Sequence, residues 1–251
     1  MLPVPARLTG GSWAFFLDVD GTLLDIADAP DLVHVEQRLL TLLDAVRRAS
    51  GGAVALVSGR SLADLDRLFS PLCLPAAGLH GAERRDAAGQ TRHSQPDPWL
   101  AGAAARLRDW AGQHPGSLVE DKGGAVALHF RLAPGAEAEA RAEVDRLLSG
   151  AAGRYVLQRG KCVLEIKPAG ANKARAIAEF MTEPPFAGRR PVFVGDDVTD
   201  EDGFQAVRDM DGVAVVVDGR VPTHAQYRLG GVSEVQDWLA AWLADQQGET
   251  R

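Results

Sequence analysis

Two acidic segments close short apolar runs. Asp18-Val19-Asp20-Gly21-Thr22 ends the run that begins at Trp13, and Gly195-Asp196-Asp197-Val198-Thr199-Asp200-Glu201 follows the run 191–194. Acids this close together at a buried strand end repel one another and lose hydration, so they call for a cation or a shared proton. In extended backbone Asp18 and Asp20 point to one side about 7 Å apart, and Gly21 lets the chain turn after them. Asp196 and Asp197 suit a hard, oxygen-ligated cation such as Mg²⁺, which takes one or two carboxylates plus water and phosphate. Asp200 and Glu201 also suit the first turn of a following helix. The segment lacks the alternating oxygen ligands and the sixth-position Gly of an EF-hand. The chain has no GxxxxGK and no GxGxxG, which weakens nucleotide-binding readings.

Two further strand ends offer groups for an anion. Ser58-Gly59-Arg60 follows 53–57 and opens a helix, so a hydroxyl and helix amides would meet a phosphate there. Lys173 starts a later helix, where the helix dipole disfavours a cation, and that placement hints at a function.

The elements that must position these groups alternate along the chain. Strands are expected at 13–19, 53–57 and 75–79, with helices at 36–50 and 61–69 between and after the first two, from leucines at helical spacing. The style returns near the other end: helix 172–181, strand 191–194, helix 200–207, strand 213–217, helix 233–243. Alternating β and α implies a parallel sheet with helices on both faces, a doubly wound α/β core. Ligands of such sheets bind beyond the carboxyl ends of the strands, where the acidic segments stand. Between these halves the strand candidates crowd together at 117–120, 125–131, 155–159 and 162–167. Gly123-Gly124 and Gly160-Lys161 serve as tight turns, and helices flank the strands at 99–110 and 137–148. The expected organisation is a core over 1–93 and 169–251, split by an inserted α+β domain over 94–168. Candidate hinges lie at 89–98 and 168–170. Trp13, Trp110, Trp238 and Trp242 sit in apolar patterns and are assigned to the core.

Composition bounds the class. The 251 residues are 46% hydrophobic and 24% charged, a globular balance. With 27 Lys and Arg against 34 Asp and Glu the net charge is -7, which argues against a nucleic-acid partner. Cys73 and Cys162 are too few for a disulfide scaffold and lie in no zinc motif. The longest apolar runs fall far short of the about 20 residues that span a membrane. A soluble, cytoplasmic protein, monomeric and without a membrane partner, is expected.

In order, DxDGT, a Ser, a Lys and GDDxxD resemble the motifs of the haloacid dehalogenase-like (HAD) phosphatase superfamily. A closer set is similar to the trehalose-6-phosphate phosphatase family: Gly78-Leu79-His80-Gly81-Ala82-Glu83, Glu120-Asp121-Lys122, His129-Phe130-Arg131, then Gly160-Lys161 with Glu165-Ile166-Lys167-Pro168. The chain departs from that pattern at Phe130, where the family often has Tyr, and at Ala174, where it often has Gly. Neither change removes a catalytic group.

The resemblance implies a Mg²⁺-dependent sugar-phosphate phosphatase. Asp18 would be the nucleophile that becomes an aspartyl phosphate, and Asp20 would protonate the leaving hydroxyl and then activate water. Asp18, the Asp20 carbonyl and Asp196 would hold Mg²⁺. Ser58 and Lys173 would hold the phosphoryl group, and Asp197 and Asp200 would order water and Lys173. Gly21, Thr22 and Arg60 in the core, with Glu120, Lys122, Arg131 and Glu165 in the inserted cap, would contact substrate. Sugar binding there would drive closure and water exclusion. His80 and His129 are given no catalytic part. Sucrose phosphate or glucosylglycerol phosphate is the alternative substrate. A receiver domain, the non-enzymatic alternative, is about half this length and lacks both the cap and the second acid.

Overall fold

The structure, a computed structural model, describes residues 2–9, 12–26, 33–93, 97–160, 162–218 and 222–248. The chain divides into two compact units, Met1–Thr91 with Asn172–Arg251, and Arg92–Ala171. In chain order come β1 (Trp13–Leu17), α1 (Gln37–Ala49), β2 (Val54–Val57), α2 (Leu62–Phe69), β3 (Ala76–Gly78), β4 (Glu83–Arg85) and β5 (Thr91–Arg92). The second unit holds α3 (Pro98–Gly112), β6 (Leu118–Asp121), β7 (Val126–His129), α4 (Glu137–Ser149), β8 (Tyr155–Gly160) and β9 (Val163–Pro168). The chain then returns with α5 (Lys173–Phe180), β10 (Arg190–Gly195), α6 (Glu201–Asp209), β11 (Val213–Val217), β12 (Tyr227–Leu229) and α7 (Val232–Gly248).

The first unit is built on one eight-stranded sheet in the order β12-β11-β10-β1-β2-β3-β4-β5. Its strands alternate between two cores, as a period of two requires. Phe15 and Leu17 of β1, Val54 and Leu56 of β2, and Val192 and Val194 of β10 pack with leucines of α1 and with Val235, Leu239 and Trp242 of α7. Ala14, Phe16, Ala55 and Phe193 point the other way, toward Ile177 and Phe180 of α5 and Phe204 of α6. Helices on both faces make this a doubly wound α/β core. The chain runs outward from β1 through β2 and β3, then restarts at β10 on the other side of β1. That reversal is the topological switch point, where such sheets bind ligands.

The expected parallel sheet is extended near one edge by β4, which pairs antiparallel with β3. β4, β5 and β12 had no place among the expected strands. They are short, with the sequences ERR, TR and YRL, so they carry no apolar run to mark them.

The second unit is an antiparallel sheet in the order β6-β7-β9-β8 with two helices. Val126, Leu128, Leu164 and Ile166 on one face pack with Leu100, Ala104 and Leu107 of α3 and Val144 of α4. The turn between β6 and β7 contains Gly123 with a φ of 78°, a left-handed value that suits glycine. Of the expected turn at Gly160-Lys161, Lys161 lies outside the described residues, as do 94–96 of the first candidate hinge. No helix among the described residues is long and apolar enough to cross a membrane.

Candidate active site

Strand geometry stops at Leu17, and the amides of Thr22, Leu23 and Leu24 all donate to the carbonyl of Val19. A tight turn therefore begins at Val19, one residue after Asp18, with a bridge between Asp20 and Leu24. The amide of Asp18 donates to Val194 O of β10 at 3.0 Å, which ties the turn to the neighbouring strand across the switch point. The two carboxylates take different partners. Asp18 pairs with Lys173 Nζ at 2.8 Å. Asp20 receives Nε and a terminal nitrogen of Arg60, each at 2.7 Å. Arg60, expected against substrate, thus grips Asp20 in a bidentate pair.

Lys173 is the first residue of α5, whose N-cap Asn172 accepts the amide of Arg175. Its ammonium is buried and donates to Asp200 Oδ1 at 2.5 Å as well as meeting Asp18. Burial works against its charge, but Asp18 and Asp200 outweigh that and push the Lys173 pKa above its usual value. Asp200 is fully buried in the 3₁₀ turn Val198–Asp200. Its second oxygen accepts the amides of Asp196 and Asp197, each at 2.9 Å. It reaches back to close the loop, in addition to starting the next helix as its sequence position suggested.

One oxygen each from Asp18, Asp196 and Asp200 lie within 4.8 Å of one another. Three carboxylates face one ammonium, and burial together with the neighbouring acids shifts two of them. Burial pushes the Asp18 carboxyl well up, against the pull of Lys173. Burial, then Asp200, raises Asp196 to about 7, and its side chain is in hydrogen-bond contact with Asp18. Two carboxylates in contact need a proton or a cation between them. The donors are all hard oxygens, which fits Mg²⁺. Gly21 makes the close approach possible: with φ at 77°, a Cβ there would stand 2.1 Å from Asp196 Oδ2.

Ser58 is buried at the end of β2, and its Oγ accepts the amide of Arg60 at 3.1 Å. The N-cap of α2 is Ser61, so Ser58 does not cap the helix, which starts at Leu62 within one residue of the expected 61–69. Thr22 is fully buried, and its Oγ1 has no hydrogen-bond partner among the described residues. Asp197 caps the 3₁₀ turn. A cavity of about 600 Å³ opens beside the cluster, lined by Gly21, Asp25, Asp196, Asp197 and Asp218 among others.

The four remaining site candidates lie in the second unit. Lys122, in the turn after β6, donates to Glu165 Oε2 of β9 at 3.0 Å. Glu120 of β6 meets His129 Nε2 at 3.0 Å. Arg131 is exposed just beyond β7. Three contacts escaped the sequence reading. His129 holds Glu120. His80, with a φ of 56°, is buried so close to Gly59 that a Cβ on that glycine would stand 2.7 Å from its Nε2. Glu83 accepts the amide of Leu62 at 2.9 Å, at the start of α2. All three residues belong to the quoted motifs, which were the available signal.

The family model for trehalose-phosphatase matches residues 16–233, which takes in both units. The chain belongs to the trehalose-phosphatase family, a family of phosphatases. It is 46% identical to the trehalose-6-phosphate phosphatase of Escherichia coli (strain K12) over 228 residues, 90% of this chain and 85% of that one. The family's fold is seen in the C-terminal domain of the C. albicans trehalose-6-phosphate phosphatase. That domain superposes with a TM-score of 0.83 at 20% identity over 97% of this chain and 99% of that one. A phosphatase of the HAD superfamily from Bacteroides thetaiotaomicron superposes with a TM-score of 0.64 at 18% identity, over 97% and 98% of the two chains. The doubly wound core with its second α+β unit is thus the HAD fold.

Proposed function

We propose that this phosphatase hydrolyses trehalose 6-phosphate to trehalose and phosphate through an aspartyl-phosphate on Asp18. The observation that carries the reading is the buried cluster of Asp18, Lys173, Asp196 and Asp200 at the switch point of the sheet. An Asp18 oxygen attacks phosphorus, and the bond from phosphorus to the sugar oxygen breaks. The leaving oxygen takes a proton from the Asp20 carboxyl. In the second step water attacks phosphorus, gives its proton to Asp20, and the Asp18 carboxylate leaves. Dividing one slow displacement into two lowers each barrier. The positioned acid contributes about 10²–10⁴ in rate, because a sugar alkoxide leaves poorly.

Both Asp20 oxygens accept from Arg60, so Arg60 sets where that carboxyl stands. Asp20 meets the leaving oxygen by exchanging one of these contacts. Ser58 accepts a hydrogen bond from Arg60, which leaves its own hydroxyl proton for a phosphoryl oxygen. Lys173, kept charged by its two carboxylates, holds another. Asp18, Asp196 and the Asp20 carbonyl would hold Mg²⁺, which when bound neutralises charge between the nucleophile and the phosphate dianion. Asp197 and Asp200 order the loop beneath Asp196. Glu120, Lys122, Arg131 and Glu165 bind sugar hydroxyls, the second unit acting as the cap of the enzyme.

The test is phosphate release from a panel of sugar phosphates, with Mg²⁺ and with EDTA, for the wild type and Asp18→Asn. Preference for trehalose 6-phosphate, lost with EDTA and with Asp18→Asn, is expected. Preference for sucrose phosphate or glucosylglycerol phosphate would keep the chemistry and overturn the substrate. Activity indifferent to EDTA would overturn the metal.

A further inference from the structure

Glu120, Ala127, Glu165 and Gln158 stand opposite one another in one row across β6, β7, β9 and β8. Residues paired directly across strands share a face of the sheet. His129 is two residues beyond Ala127 on β7, so it lies on that face too. The helices cover the opposite face, through Val126, Leu128, Leu164 and Ile166. Ala127, fully buried, forms a methyl floor between the strands that carry the two glutamates.

Each glutamate of this row is held by a neighbour. Lys122 donates to Glu165, and the imidazole of His129 meets Glu120 Oε2 at 3.0 Å. A carboxylate only accepts, so the proton of that hydrogen bond sits on His129 Nε2. The pair is one-third exposed, at 32% for His129 and 33% for Glu120. A glutamate so exposed, without such a neighbour, rotates among many conformers and must be ordered when a ligand arrives.

We infer that His129 is a positioning residue for sugar recognition, fixing the Glu120 carboxylate in the orientation that meets a hydroxyl of the non-reacting sugar. The inference rests on the reading of the second unit as the sugar-binding part of the enzyme. Glu120 contacts the sugar, and His129 acts through it.

The test measures kcat/KM for trehalose 6-phosphate and for p-nitrophenyl phosphate, which has no sugar, on purified enzyme with Mg²⁺. The readout is the ratio of the two, which is insensitive to the fraction of folded protein. His129→Leu lowers the ratio about tenfold, with most of the change in KM for the sugar phosphate. His129→Gln places an amide nitrogen near the position of Nε2, keeps the donor, and restores the ratio to within about threefold of wild type. Glu120→Gln lowers the ratio as well, and adding His129→Leu to it lowers the ratio no further. A ratio lowered by Glu120→Gln but untouched by His129→Leu would overturn the inference and leave the reading of the second unit standing. A ratio untouched by Glu120→Gln would overturn both. His129→Gln as impaired as His129→Leu would show that the ring packs rather than positions, and would overturn the inference alone.

Discussion

Lys173 and Lys122 both sit against carboxylates, yet the two units hold them differently. In the first unit Lys173 is 2% exposed, between Asp18 and Asp200, at the meeting point of β1, β10 and α5. Backbone amides of Asp196 and Asp197 tie Asp200 in turn. In the second unit Lys122, at 14% exposure, bridges a turn to Glu165 on the face away from the helices, and the neighbouring His129–Glu120 pair is more open still. The core site is set by backbone topology and low dielectric, where a charge cannot be lost without leaving its partners uncompensated. The second site is set by side chains reaching across a sheet; Glu165 is buried there too, but around the one-third-exposed His129–Glu120 pair a lost contact is partly replaced by water. On the proposed function, the chemistry that must stay fixed belongs to the first setting and substrate choice to the second.

The comparison breaks or sharpens under five changes. Asp18→Asn is expected to lower kcat by about 10⁴-fold or more while the protein stays folded, as phosphate release and circular dichroism together would show. Residual turnover within a hundredfold of wild type would remove Asp18 as nucleophile. The same change, Lys→Met, then contrasts the two units. Lys173→Met is expected to destabilise the metal-free protein by about 3–5 kcal/mol, because the carboxylates around it lose their ammonium. Lys122→Met is expected to cost at most about 1–3 kcal/mol. It should instead lower kcat/KM for trehalose 6-phosphate about tenfold or more, relative to p-nitrophenyl phosphate. Urea unfolding and paired kinetics measure both; equal destabilisation by the two variants would erase the distinction.

A fourth change is pH. The Asp196 carboxyl is raised from 3.8 to about 7 by burial, then by Asp200. Its neutral form therefore stabilises the metal-free fold below about pH 4, and that contribution is lost as pH rises through about 7. A bound cation reverses the preference, so the gain in Tm on adding Mg²⁺ should be larger at pH 8 than at pH 5, by about 2–4 °C or more. A gain independent of pH would place the cation away from Asp196. The smallest effect belongs to the second unit's surface. The Trp110 carbonyl, then Glu139, raise the His114 pKa above 6.5. The stability it contributes is full below about pH 6.5 and fades as pH rises through the raised value. His114→Gln should flatten that slope in urea unfolding from pH 5 to 8 without changing activity.

Much of the core was legible in the sequence. β1, β2, β10 and β11 are apolar runs ended by polar residues, and strands buried on both faces read that way. The acidic segments stood at their carboxyl ends, so their neighbourhood followed from topology. The pairing of Arg60 with Asp20 was not legible, because nothing in Ser58-Gly59-Arg60 says that Asp20, forty positions earlier, comes within reach. Its sequence neighbours alone make Asp200 a helix-start residue; only the family resemblance placed it beside Lys173, where it stands. β4, β5 and β12 were missed because strands this short, at the sheet's edges or next to one, need no apolar pattern.

The sequence by itself determined the alternation of elements, the doubly wound core, the second α+β unit and the residue types that chemistry requires. These depend on periodicity and on order along the chain, which are local properties. Only the tertiary structure decided which charge meets which: Lys173 with Asp18, Arg60 with Asp20, His129 with Glu120. Those pairings depend on distances between segments far apart in sequence, fixed by how strands register and helices pack.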